Sequence, residues 1–384
     1  MQRPIPEKLS GIYDEQEYQK HCSYILKCRK FGRITGAVDT GLLLLILCSG
    51  AIGFILELFN GWTGDQLWGA LSFIAVTYLI TDLYSLPFEY YSTFVIETKF
   101  GFNKTTKKTF FTDTLKSLFV SLILVSIIYS LLYKFYEIFG NNFWIVLFCA
   151  IAGLIVMVNM FYSQIIVPLF NKQTPLEDGE LRDAIEKFAH KARFKIKNIY
   201  VINGSKRSTK ANAYFTGMGK TKRVVLYDTL IEQLTTDEIV AVLAHEIGHY
   251  KHRDIYKKLI TSLLSLGIYL FVFSFLAGIA DLAIALGGTE PSLLLSLLAF
   301  GMLLTPISII LSPLMNYLSQ RHEYNADKFA TYYGYGEHLI NALKKLTANN
   351  LSPLQIHPLY AAFYYSHPTL LQRINHIQSK IKQS

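Results

Sequence analysis

"AVDTGLLLLILCSGAIGFILELF", residues 37–59, holds two carboxylates and no lysine, arginine or histidine. As a helix it would rise about 34 Å, enough to cross the ~30 Å hydrocarbon core of a bilayer. Four further stretches, about 67–86, 143–161, 259–280 and 292–311, have the same length and texture, and a sixth, about 115–133, is equally apolar. The sequence therefore predicts about six transmembrane helices. The composition agrees, with 51% apolar and 14% aromatic residues in 384 positions.

Loop charges give the orientation. With the N-terminus inside, the outer loops are "NGWTGDQ" (60–66), "KFYEIFGNN" (134–142) and "DLAIALGGTEP" (281–291), whose only lysine or arginine is Lys134. The inner segments carry the rest, including the basic stretch Lys27 to Arg33 and the loop "ETKFGFNKTTKK" (97–108). This is the positive-inside pattern. The formal charge of +9 is thus explained by anionic lipid surface and cytoplasmic orientation rather than by nucleic acid. Asp39, Glu57 and Asp82 lie near span ends, at an interface or lining a water-filled cavity. Cys22, Cys28, Cys48 and Cys149 form no CxxC pair, so neither a disulfide framework nor a thiolate metal site is indicated. The polar start has no secretory signal core, which leaves membrane entry to the internal spans.

Between the fourth and fifth spans lie about a hundred residues of soluble texture. "EDGELRDAIEKFAHKA" (177–192) has helical spacing, while "NIYVINGS" (198–205) and "RVVLYDTL" (223–230) read as strands. "ANAYFTGMGK" (211–220) lies between them, extended and then turning at its glycines. Thr235 and Glu238 form a capping box that starts the next helix. The boundaries read as 1–161 for the N-terminal basic segment and four spans, 162–258 for a catalytic domain, 259–311 for the last two spans, and 312–384 for the rest of the catalytic part.

The capped helix carries "VLAHEIGHYKHRD" (242–254). His245 and His249 are four apart, hence on one helix face, and can offer imidazole nitrogens to one metal ion. Glu246 is displaced around the helix, near enough to reach a metal-activated water without ligating. The donor types favour zinc. The bland alternative is a surface helix with two solvated histidines, yet accidental HExxH matches in a chain of this composition number at most roughly 0.02. Glu323 in "SQRHEYNADKFA" (319–330) is the candidate third ligand, and Asp327, one turn later, could fix an imidazole tautomer. Two spans separate the histidine helix from Glu323, so both emerge on the same side. His252 and His322 are weaker rivals: the first lacks a glutamate in register, and the second faces about 100° away from Glu323.

These residues resemble the integral-membrane CAAX prenyl proteases, zinc metalloendopeptidases that cleave next to a lipidated C-terminal cysteine. The resemblance runs from about residue 34 to 376 and rests on "STFVIETKFGFNKTT", "PLFNKQTPLEDGEL", "IYVINGSKRSTKANAYFTG", "VVLYDTL", "AVLAHEIGHYKH", "RHEYNADKFA" and "YYSHPTLLQRI", in that order. It implies a mainly α polytopic fold: a chamber of transmembrane helices with a zincin-like catalytic domain and small β-sheet on the cytosolic side. It implies one Zn2+ held by His245, His249 and Glu323, Glu246 as general base, and Asp327 as the supporting carboxylate. Asn212 and Ala213 match the edge segment that hydrogen-bonds substrate backbone, His367 a histidine that steadies the oxyanion, and Arg373 an arginine that braces the acidic residues. The implied partners are a lipidated or membrane-associated substrate and membrane lipid.

Two departures stand out. Eukaryotic relatives usually carry an additional N-terminal span, which points to a bacterial-type member in the inner membrane, the endoplasmic reticulum being the alternative. Lys210 stands where many relatives have histidine, which bears on substrate preference. Two other functions fit the same motif, a broad-specificity quality-control protease and a transporter or receptor with structural zinc. The second requires a closed four-ligand site, whereas only three protein ligands are apparent.

Overall fold

The computed structural model describes residues 7–194, 199–216 and 223–383. Five helical stretches are long and apolar enough to cross a membrane: Glu15–Ser49, Gln66–Phe100, Lys107–Phe170, Asp254–Leu276 and Leu293–Tyr332. They comprise α1 (Glu15–Ser49), α3 (Gln66–Tyr91) with a π-helical turn and α4 (Thr98–Phe100), and the run from α5 (Lys107–Phe139) to α7 (Val167–Phe170). Within that run α6 (Phe143–Ile165) follows a single 3-10 turn at Gly140–Asn142 and packs back on α5. The expected stretches 115–133 and 143–161 are therefore separate helices.

The opening stretch is not one straight helix. It breaks at Gly50, in the left-handed region with φ 66°, and continues as α2 (Ala51–Thr63). The cause is a close approach to the loop before the last span. Gly53 donates its N–H to the Leu286 carbonyl at 2.8 Å, and a Cβ at Gly53 would lie 2.1 Å from the Gly288 nitrogen. Only glycine lets two backbones meet so closely. Leu56, Phe73, Phe143, Phe273 and Leu295 are buried where the spans pack on one another. Ile260, Leu264 and Ile268 recur four apart on one outward face, each more than half exposed. Such a stripe suits lipid and not water.

The soluble part is built around a four-stranded sheet of β1 (Gln173–Pro175), β2 (Ile199–Ile202), β3 (Ala213–Thr216) and β4 (Arg223–Tyr227). Its order is β1-β2-β4-β3, with β2 and β4 parallel and the outer pairings antiparallel, so β3 is an edge. β2 and β4 fall inside the expected strands 198–205 and 223–230 but end earlier, where Gly204–Lys206 forms a 3-10 turn and Asp228 starts a helix, and β1, three residues long, carried no pattern to read. The expected turn at the glycines of 217–220 lies outside the described residues. α8 (Glu180–Lys191), as expected, buries Ile185, Phe188 and Ala189. After α9 (Asp228–Gln233) comes α10 (Thr236–Lys251), which starts at the predicted capping box of Thr235 and Glu238.

α10 leads within three residues into the span α11 (Asp254–Leu276), and α12 (Ala280–Ala285) follows it. α13 (Leu293–Tyr332) is one helix of 40 residues that runs from the last span directly into the catalytic part. α14 (Gly336–Asn349), α15 (Pro358–Tyr364) and α16 (Leu370–Ile381) complete the chain and pack around α13. α10 and α13 cross in close contact: a Cβ at Gly248 would sit 2.9 Å from the Ala326 Cα. One continuous core joins α8, the sheet, α10, α14 and α16, with the N-terminal half of α1 packed against it through Tyr24 and Phe31.

Candidate metal centre

The close crossing at Gly248 brings three side chains together. His245 and His249 project from α10 toward α13, and Glu323 projects back; these are the three residues that could hold a metal ion among the described residues. His245 Nε2 and His249 Nε2 are 3.2 Å apart. They lie 3.4 and 3.3 Å from the two Glu323 carboxylate oxygens. A tetrahedral zinc with bonds of ~2.1 Å has donor–donor edges of about 3.4 Å. One ligand atom from each of the three residues lies within 4.8 Å of the others, a separation that a single zinc ion can bridge.

Tautomers are set from behind. His245 Nδ1–H donates to Asp327 Oδ1 at 2.8 Å, and His249 Nδ1–H donates to Asp254 Oδ2 at 3.1 Å. Both Nε2 atoms are left as bare acceptors facing one another and a carboxylate. Three converging acceptors repel unless a cation or protons sit between them. The same demand appears as basicity. Burial alone would push the His249 imidazole down, but hydrogen bonds to Asp254 and Glu323 outweigh it and push it up to about 9. His245 is raised too, against burial and the Arg373 charge, by Asp327 and Glu323.

Asp327 is fully buried and is held by Arg373, whose Nε and Nη2 donate to its two oxygens at 3.0 and 2.5 Å. This fork is the bidentate arrangement that keeps a buried carboxylate ionised. Asp254 was missed by sequence reasoning. It lies 1% exposed beyond the end of α10, accepting from His249 and from Lys257 Nζ at 3.1 Å. The only local signal was a carboxylate five residues after the second histidine.

Glu246 is half-buried on α10, next in sequence to His245, and His367, its side chain 64% exposed, puts its Nδ1 3.0 Å from Glu323 Oε2. His322 and His252 stand outside the donor set. His322 Nε2 is 3.8 Å from Asp254, and His252 caps α10 with its ring 6.4 Å from Phe329.

Asn212 and Ala213 lead into the edge strand β3. Tyr227 N–H donates to the Asn212 carbonyl at 3.1 Å, so by the alternation of an antiparallel ladder the Ala213 N–H and C=O point away from β4 to the free edge. That N–H donates to the Asn212 side-chain Oδ1 at 2.9 Å. Just upstream, Lys210 Nζ pairs with Glu97 at 2.9 Å and donates to the Tyr24 hydroxyl at 3.1 Å, tying the edge segment to α1 and the π-helical turn.

The profile described as "Peptidase family M48" matches residues 175–381, and "CAAX prenyl protease N-terminal, five membrane helices" matches residues 1–172. The chain belongs to peptidase family M48. This M48 chain is 35% identical over 393 aligned positions to "CAAX prenyl protease 1 homolog" of Arabidopsis thaliana, covering 99% of this chain and 92% of that protein. It is 32% identical to the Homo sapiens "CAAX prenyl protease 1 homolog", covering 98% and 89%. The crystal structure of S. mikatae Ste24p superposes with a TM-score of 0.91 at 33% identity, covering 97% of this chain and 91% of that one. The M48 chain is thus a multi-pass membrane metallopeptidase, a hydrolase of peptide bonds, and zinc is the metal of its family.

Proposed function

We propose that this chain is a zinc-dependent endopeptidase, one Zn2+ per chain, that cleaves beside a prenylated C-terminal cysteine on the cytoplasmic face of its membrane. The observation that carries the reading is the convergence of His245, His249 and Glu323 with Glu246 beside them on α10. Residues 162–258 and 312–384 act as one catalytic unit, which the shared core across α8, α10, α14 and α16 supports.

Zinc held by His245, His249 and Glu323 would polarise the scissile carbonyl and make water a nucleophile near neutral pH. Glu246 accepts the proton of the attacking water on its carboxylate and returns it to the leaving amine. His367, exposed enough to turn from Glu323, donates to the carbonyl oxygen as charge builds there. The substrate backbone adds to β3, pairing with the outward N–H and C=O of Ala213, while the Asn212 side chain gives up its bond to that N–H. Asp327 and Arg373 hold His245 in its tautomer and take no proton.

The test is zinc content of the purified protein together with hydrolysis of a farnesylated reporter peptide and its unprenylated twin. Glu246→Gln should keep zinc and lose about 10²-fold or more of turnover. Full activity in that variant sinks the role of Glu246. Equal turnover of the two peptides sinks the prenyl preference and leaves a broad-specificity protease.

A further inference from the structure

A cavity of about 1060 Å3 lies between the N-terminal half of α1 and residues 353–365. Its walls are largely apolar, from Ile25, Leu26, Leu354 and Ile356. Arg29 and Arg33, one turn apart, also line it, and no aspartate or glutamate does. Among the described residues neither arginine forms an ion pair with a carboxylate. The far wall is Tyr365, where burial pushes the phenol up and the nearby Arg29 guanidinium opposes it.

Tyr365 is two residues from His367, whose ring touches Glu323, so the cavity wall lies within about 7 Å of the His367 backbone. The basic stretch Lys27 to Arg33 has four cations, and only Arg29 and Arg33 face this space. Attraction to lipid headgroups explains basic residues at a membrane surface in general. It does not select these two for a cavity beside the catalytic segment.

We infer that Arg29 and Arg33 form the subsite for the free C-terminal α-carboxylate of the substrate, with the apolar walls favouring apolar side chains in the residues that precede it. This deepens the prenyl-protease reading and rests on it. Three residues beyond the modified cysteine span about 10 Å when extended. A tail of that length running along the segment from His367 to Tyr365 would bring its carboxylate to the cavity wall. A guanidinium pair is the natural partner of a planar carboxylate. The edge segment approaches α1 from the other side, since Lys210 donates to Tyr24, five residues before Arg29.

The test uses full-length protein in detergent, carrying Glu246→Gln to prevent turnover, and a fluorescent farnesylated peptide ending either in a free carboxylate or in an amide. The carboxylate form is expected to bind at least about tenfold tighter. Arg29→Gln with Arg33→Gln should abolish that preference, whereas Lys27→Gln with Lys30→Gln, which removes equal charge from outside the cavity, should retain it. Equal binding of acid and amide, or equal loss in both double variants, overturns the subsite. If Arg29→Gln with Arg33→Gln keeps the acid preference and instead loses binding to phosphatidylserine vesicles, the pair is a headgroup site and the inference fails. Turnover of the same peptides by protein retaining Glu246 tests the peptidase reading separately, and binding of neither peptide overturns both.

Discussion

His249 donates its Nδ1–H to Asp254 at 3.1 Å across the end of its own helix, where Arg253 takes a left-handed φ of 58° and turns the chain into α11. The first residue of a candidate membrane span thus orients a candidate ligand of the metal centre. Asp254→Asn keeps the size but removes the anion that fixes the tautomer. Zinc affinity should fall about 10–100-fold, as read by competition with a fluorescent chelator. Wild-type affinity in this variant would show that the contact is idle.

Arg373 is the partner that keeps a fully buried Asp327 ionised. Arg373→Ala leaves that carboxylate with His245 alone, and stranding a buried charge costs about 3–5 kcal/mol. The expected outcome is a clear drop in the thermal midpoint in detergent, with Arg373→Lys falling between the two because it lacks the planar fork. A midpoint within a degree of wild type would count against this account.

Gly248 sets the distance between α10 and α13. A valine there would drive side-chain atoms into the backbone of Ala326 and the Phe329 Cβ, 3.1 Å from where its own Cβ would stand. The helices must separate, drawing Glu323 away from the histidines. Gly248→Val should therefore lose zinc while the protein remains helical by circular dichroism. Full zinc occupancy would mean that the crossing absorbs the extra volume elsewhere.

Zinc uptake should depend on pH with a defined sign. Without metal the His249 imidazole titrates near 9, so at neutral pH zinc must displace its proton. Because His245 is raised as well, apparent affinity should rise by at least about tenfold per pH unit between roughly 7 and 9, with proton release visible by calorimetry in buffers of different ionisation heat. In the zinc-free protein the raised pKa stabilises the fold below about 6.5, the unfolded value, and that stabilisation is lost as pH rises through about 9. A flat affinity profile over this range would contradict the assignment.

The candidate ligand pair His245 and His249 was legible because a single helix fixes its relation: four residues apart means one face, whatever surrounds it. Glu323 and Asp327 followed from the same spacing plus the parity of the spans between them. Asp254 was not legible, since its contact depends on the conformation of Arg253 and the angle at which α11 departs. The break at Gly50 escaped for a related reason. Composition reads straight through a residue that is glycine because of a neighbour, Gly287, more than two hundred positions away. His367, Arg373, Asn212 and Ala213 carry no local pattern and were reached only through resemblance to a family. The pairing of Arg29 and Arg33 in a cavity required the packing of α1 against residues 353–365.

The Asn212 side chain occupies the one outward N–H of Ala213 that an incoming strand would use first. An uncovered sheet margin invites adhesion by any unfolded segment that drifts past. Here the outward N–H of Ala213 is already bound by its own neighbour, so a strand that adds at this point must displace the Asn212 side chain. On the proposed reading, strand addition therefore costs the protein one internal hydrogen bond, which weakens adhesion of segments that make no other contact.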